Sequence, residues 1–136
     1  RREAYRQAFC DFIPEKVANL GEKQVQNLMN HSGIIRNQLK IHSAIKNAQA
    51  FLRIQEEFGS FSNYQWCFTS GEPLQNQRKT LKQIPAKTDL SIYLSKDLKK
   101  RGFSFIGPTI VYAHMQAVGM VNDHLVDCFR YKSLCQ

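Results

Sequence analysis

Apolar residues recur at helical spacing along most of this chain, with helix-start and helix-stop residues standing between the runs. Pro14 occupies the place of a first helical residue, ahead of Val17, Ala18 and Leu20, and Gly21 ends or re-caps that helix. A second short helix is predicted over 22–30, with Val25, Leu28 and Met29 on one face, and Ser32 and Gly33 break it. A long helix follows, from about 35 to 58. Ile34, Leu39, Ile41, Ile45, Ala48, Phe51, Leu52 and Phe58 form its apolar stripe, and Gly59 fits the position after its end. Ser60 or Ser62 can cap a short aromatic helix through Tyr64, Trp66 and Phe68, whose rings read as core. Residues 69–88 read as an ordered, irregular surface loop in which Leu74, Leu81 and Ile84 pack. There is no sustained period-two alternation, no Asn-Gly or Asp-Gly hairpin and no repeat. The predicted fold class is all-α, a single helical domain over 1–136.

Residues 88–120 carry the sharpest local pattern. Thr88 and Asp89 cap a helix running through Leu90, Leu94 and Leu98 to Arg101. A short segment bounded by Gly102 and Gly107 follows, and Pro108 and Thr109 open a second helix that ends before Gly119. Gly102 allows a positive φ after the first helix, and Gly107 lets the backbone approach a partner closely. The amides of Ser104 to Gly107 and of the second helix's first turn would then face outward together as an anion site. Phe103, Phe105 and Ile106 would anchor the segment to the core. An ordinary αα-hairpin is the plainer alternative; the two glycines, the Pro-Thr start and the neighbouring cations favour phosphate binding.

Charge sharpens that picture. The chain holds 19 Lys and Arg against 11 Asp and Glu, a net charge of +8. The excess is uneven: positions 78–101 hold eight basic residues, Arg78, Lys79, Lys82, Lys87, Lys96, Lys99, Lys100 and Arg101, against Asp89 and Asp97. A basic run beside a special turn suggests polyanion binding, whereas a solvated helix face is the bland reading. Composition, at 43% hydrophobic and 22% charged, is that of a soluble globular protein. No apolar run approaches the ~20 residues that cross a bilayer. The opening residues Arg1 to Arg6 carry no apolar signal segment, so a cytoplasmic location and no membrane partner are expected. Cys10, Cys67, Cys128 and Cys135 are too few and too uneven for a disulfide scaffold, and Cys10 and Cys67 read as buried free thiols. No Ser-His-Asp order, phosphate loop or nucleotide fingerprint is present.

The run from Leu98 through Lys99, Lys100, Arg101, Gly102, Phe103, Ser104, Phe105, Ile106, Gly107 and Pro108 to Thr109 closely resembles the hairpin of the bacterial DNA-3-methyladenine glycosylase I family. The tail, Met115 to His124 with Cys128 following, is similar to that family's C-terminal signature. Gly33-Ile34-Ile35-Arg36-Asn37, Lys40-Ile41, Asn47-Ala48-Gln49-Ala50 and Trp66 also fall where the family has similar residues. The resemblance covers essentially the whole chain. It implies a helix-hairpin-helix at about 89–118 in which Lys99, Lys100, Arg101, Gly102, Ser104, Gly107 and Thr109 bind DNA. It implies hydrolysis of the N-glycosidic bond of 3-methyladenine after base flipping, on double-stranded DNA containing alkylated bases, by a monomer. It also implies a metal-binding tail at about 121–136. There His124 and Cys128 are two ligands of a structural zinc, and an i, i+4 pair on a helix would lie on one face; Cys135 is a possible substitute third ligand whose spacing does not match the family.

In the resembled family a further N-terminal segment holds the acidic and aromatic residues of the base pocket, a loop that wedges into DNA, and the other zinc ligands. The chain is therefore expected to be a fragment, or one piece of a longer molecule. Its catalytic residues stay unknown, and metal is expected to be absent or weakly held by the isolated chain. Asp123 can be read as a catalytic aspartate of the helix-hairpin-helix type or as the cap of the next turn, the second being the commoner case. Two other functions remain open: a non-catalytic DNA-binding module, and a helical protein-interaction domain with an incidental basic face.

Overall fold

Helix boundaries follow the local punctuation closely in a computed structural model of the protein, which describes residues 1–135. The chain divides into two compact units, one formed by Arg1–Phe61 with Lys100–Phe105, the other by Ser62–Lys99 with the residues from Ile106 onward.

In the first unit, α1 (Arg2–Ala8), α2 (Pro14–Ala18), α3 (Glu22–Met29) and α4 (Gln38–Phe58) follow one another. Pro14 opens α2, and the Gly21 amide donates to Gln24 Oε1 at 3.1 Å to start α3. The long helix begins at Gln38 rather than near 35, because Asn37 is extended and its side chain accepts from the Lys40 amide at 3.1 Å. Its buried side is Ile41, Ile45, Ala50 and Ile54, and Leu39, expected in the stripe, is 71% exposed. Phe9, Val17, Val25, Leu28, Ile34, Ile41 and Ile45 form one buried apolar cluster. Between α1 and α2, Cys10, Asp11 and Phe12 all take left-handed backbone angles, with φ of 56°, 57° and 57°.

In the second unit the expected loop 69–88 holds a strand. β1 (Leu74–Gln75) pairs in parallel with β2 (Val121–Asn122), Leu74 opposite Val121. A two-residue strand carries no alternation to read, and the architecture around it is helical, as expected. Along with α5 (Phe61–Trp66), which straddles the boundary between the units, the helices are α6 (Asp89–Lys100), α7 (Pro108–Ala117) and α8 (Phe129–Ser133). Thr88 caps α6 reciprocally with Ser91: each backbone amide donates to the other's hydroxyl, at 3.2 and 2.9 Å. Tyr64, Leu94, Leu98, Val111, Tyr112, Met115, Met120 and Val121 are buried. All four cysteines are free, and Cys67 is exposed rather than buried, donating to the Asn63 carbonyl. Among the described residues no helix is long and apolar enough to cross a membrane.

Candidate functional site

The segment after α6 is clamped from α4. Asn47 Nδ2 donates to the Ser104 carbonyl at 3.0 Å, and the Ser104 amide donates back to Asn47 Oδ1 at 2.9 Å. The Ser104 amide, expected to face a phosphate, is therefore already satisfied within the protein. Gly102 takes φ +102°, and a Cβ there would stand 2.8 Å from Arg53 Nη2. Arg53 needs that space, since the same nitrogen donates to the Arg101 carbonyl at 3.1 Å. Arg101 is not a loose cation either: its guanidinium pairs with Glu57 at 2.8 Å and lies 4.9 Å over the Phe58 ring. Lys100 is exposed. Phe103 lies 6.5 Å from Phe61, ring to ring, but Phe105, expected as an anchor, is 54% exposed.

In the second unit Lys99 is exposed and the Ile106 carbonyl accepts from the buried Ser95 hydroxyl at 2.7 Å. Gly107 is the N-cap of α7, with Pro108 in the first turn and Thr109 exposed. The backbone of Gly107 is ordinary, at φ −72°, and a Cβ there would meet nothing within 4 Å. Neither backbone angle nor internal packing demands glycine here, although glycine is among the residues favoured at an N-cap.

A concave cavity of about 540 Å³ lies in the first unit. Its walls are mainly aromatic and aliphatic, among them Tyr5, Phe9, Phe12, Phe51 and Phe103, with Lys40 and Asn47 as polar members. Asn47 is committed to Ser104, and the Tyr5 oxygen accepts from the Ile35 amide at 2.8 Å. The lining contains no carboxylate, so a cationic guest would meet only the Lys40 ammonium.

A four-donor polar constellation surrounds Asp123, which is buried. Tyr112 donates its hydroxyl to one carboxylate oxygen in a short hydrogen bond, and Gln116 Nε2 donates to the same oxygen at 3.0 Å. The other oxygen accepts from Asn76 Nδ2 at 2.9 Å and Arg78 Nε at 3.2 Å. Burial opposes ionisation, but these donors, Tyr112 foremost, outweigh it and hold the Asp123 carboxyl below its ordinary pKa. Burial, then the facing carboxylate, pushes the Tyr112 phenol up to about 12. Asp123 is thus neither a helix cap nor a solvent-facing acid: every lone-pair direction is occupied, and it ties the loop after β1 to α7.

His124 and Cys128 do not lie on a helix as expected. They flank a turn, with His124 exposed and Cys128 half-buried as the N-cap of α8. The turn is fastened by Val126 N donating to the Arg78 carbonyl at 2.9 Å, beside a parallel bridge between Arg78 and Leu125. An imidazole and a thiol suit zinc. Among the described residues, however, no three His, Cys, Asp or Glu side chains come together, so these residues do not close a tetrahedral site. Cys135 is occupied with Gln75 Oε1 at 3.5 Å. Gln136, the last residue of the expected tail, lies outside the described residues.

Asn47, Asn76, Arg78 and Tyr112 carry no local signal of an organising role. Their partners lie 57, 47, 45 and 11 positions away, beyond any local pattern.

The family model for methyladenine glycosylase matches residues 1–131. DNA-3-methyladenine glycosylase 1 of Escherichia coli is 46% identical over 131 residues, 96% of this chain and 70% of that protein. DNA-3-methyladenine glycosylase of Haemophilus influenzae is 44% identical over 128 residues, 94% of this chain and 69% of that protein. A solved structure of 3-methyladenine DNA glycosylase I from Staphylococcus aureus, determined for its 3-methyladenine recognition, superposes with a TM-score of 0.89 at 37% identity, covering 94% of this chain and 68% of that one.

Proposed function

Because the chain belongs to the methyladenine glycosylase family, we propose that it is a DNA base-excision repair hydrolase that removes 3-methyladenine from alkylated DNA. The observation that carries this reading is 44–46% identity, over nearly the whole chain, to two curated DNA-3-methyladenine glycosylases. Water adds at the sugar C1′ as the bond to the base nitrogen breaks, giving free 3-methyladenine and an abasic site with the strand intact. Methylation makes the base cationic and so a good leaving group. The protein's main tasks are to hold the extrahelical nucleotide and to tolerate an oxocarbenium-like sugar.

Lys100 in the first unit, and Lys99, Gly107 and Thr109 in the second, are the residues proposed to meet backbone phosphates. Exposure of Lys99, Lys100 and Thr109 and the open space over Gly107 support this. Such contacts supply affinity and register rather than choice of lesion. Arg101, Gly102 and Ser104 serve the same helix-hairpin-helix from inside, through Glu57, Arg53 and Asn47. The working form proposed is a monomer on double-stranded DNA in the bacterial cytoplasm. His124 and Cys128 are proposed as two ligands of a structural zinc, which would brace the tail and take no part in the reaction.

The direct test is release of free 3-methyladenine from methylated duplex DNA, read by mass spectrometry, with strand integrity followed in parallel. Release without nicking is expected. A second reading, a DNA-binding module without catalysis, is favoured by one observation: the aromatic cavity has no carboxylate to receive a cationic base. Salt-sensitive DNA binding with no base release would select it. Metal analysis of the purified protein tests the tail separately: zinc well below one per chain is expected, and tight stoichiometric zinc would count against a half-site of His124 and Cys128 alone.

A further inference from the structure

The Phe105 ring is a puzzle if the hairpin is considered alone. An L-residue with a Cβ is disfavoured at its φ of +56°. Burial does not offset that penalty, because the residue is 54% exposed. Nor is the conformation a slack loop's accident. The preceding residue, Ser104, is held at both its amide and its carbonyl by Asn47, and the following carbonyl, that of Ile106, accepts from Ser95 at 2.7 Å. Pinned neighbours thus fix an apolar side chain in water, a combination retained where an outside partner uses it.

We infer that Phe105 is an apolar DNA-contact residue, whose ring packs against the sugar and base surface of a nucleotide whose phosphate Lys100 meets. The inference rests on the DNA-binding reading above. Nucleic acid is the occupant that the surrounding chemistry fits. Lys100, in the same 100–105 segment, is exposed, and the chain as a whole carries a net charge of +8. A polyanion satisfies that positive charge while offering flat apolar faces to a ring, which an apolar protein surface would not do. The left-handed backbone has a use in this setting, since it directs the ring outward while the adjoining peptide units stay tied to the protein.

The test separates an apolar contact from a charge contact by its salt dependence. Affinity for a short duplex carrying a tetrahydrofuran abasic-site analogue is measured by fluorescence anisotropy across a salt series, for wild type, Phe105→Gly, Phe105→Leu, Phe105→Tyr and Lys100→Ala. Phe105→Gly should weaken binding about tenfold, as loss of an aromatic stacking contact does, with the slope of log affinity against log salt unchanged. Its melting temperature should not fall, because glycine accepts a positive φ freely. Phe105→Leu, which keeps the fold's Cβ, should lose part of the affinity, and Phe105→Tyr should retain it. Lys100→Ala should instead reduce the slope by about one. Wild-type affinity in both Phe105→Gly and Phe105→Leu would overturn the inference, as would a loss that follows the salt slope. No binding by wild type would overturn the DNA reading itself and the inference with it. Binding of a protein partner lost in Phe105→Gly, with DNA binding intact, would reassign the ring.

Discussion

Tyr112, on α7, gives its phenolic hydrogen to Asp123, the residue immediately after β2, and both side chains are buried. Asp123 also draws in Asn76 and Arg78 from the loop after β1, so one carboxylate holds three stretches of chain. Removing the phenol leaves the carboxylate short of a donor where water does not replace it. Tyr112→Phe should therefore lose about 2 kcal/mol, in the range for hydrogen bonds to charged groups. In a calorimetric scan that is a fall in Tm of roughly 6–10 °C. An unchanged Tm would mean the bond adds nothing net.

The same pair sets an alkaline limit. The folded-state pKa of Tyr112 is raised from an ordinary 10.0 to about 12, by burial first and by Asp123 next. A group held protonated in the native state stabilises fully below its unfolded pKa, and that contribution disappears as pH rises through the folded value. Unfolding free energy from denaturant titration should hence decline between about pH 10 and pH 12. The decline should be shallower in Tyr112→Phe, which has no phenol to ionise.

Asn47→Ala removes both hydrogen bonds to Ser104 at once, leaving a part-buried amide and carbonyl unpaired. The expected loss is about 2–3 kcal/mol, two net hydrogen bonds with partial desolvation. Hydrogen exchange at the Ser104 amide should rise toward that of an open loop. Asn47→Asp retains an acceptor for the amide but offers no donor to the carbonyl, and should fall between the two.

Glycine means different things at positions 102 and 107. Gly102→Ala must adopt φ +102° and push its Cβ onto Arg53 Nη2, so it should destabilise by about 1–3 kcal/mol, with the Arg53 to Arg101 hydrogen bond lost. Gly107→Asp meets open space, an ordinary backbone angle and a helix N-terminus that favours acidic caps, so its Tm should be unchanged or slightly higher. Its DNA affinity should nonetheless drop more than about tenfold, since a negative side chain would stand where a phosphate approaches. A variant that folds normally and binds DNA normally would remove Gly107 from the interface.

The helices were legible because their signals are local. Pro14 and Thr88 mark starts by chemistry within a few residues, and the apolar spacing of Ile41 and Ile45 is one helical turn, although the cap at Asn37 that starts the long helix was not legible. Family membership was legible in the run from Leu98 to Thr109 and in the tail. What stayed hidden depends on residues brought together from far along the chain. Arg101 reads as a free cation until Glu57, 44 positions earlier, claims it. Asp123 reads as a cap until Asn76 and Arg78 arrive, 47 and 45 positions away. Phe105 reads as core because phenylalanine usually is, and nothing in the letters reports a φ of +56°.

The two-residue parallel pair has a further effect on chain topology. By joining Leu74–Gln75 to Val121–Asn122 it turns the intervening segment, with α6, the hairpin and α7 inside it, into a closed ring. Tying a loop of that length costs on the order of 3 kcal/mol of chain entropy, incurred once however many contacts then form inside it. A few hydrogen bonds and one carboxylate serve as the clasp. Opening the clasp would return that entropy to the second unit's part of the segment together, so the amides of α6 and α7 should exchange with solvent as one cooperative block rather than fray helix by helix.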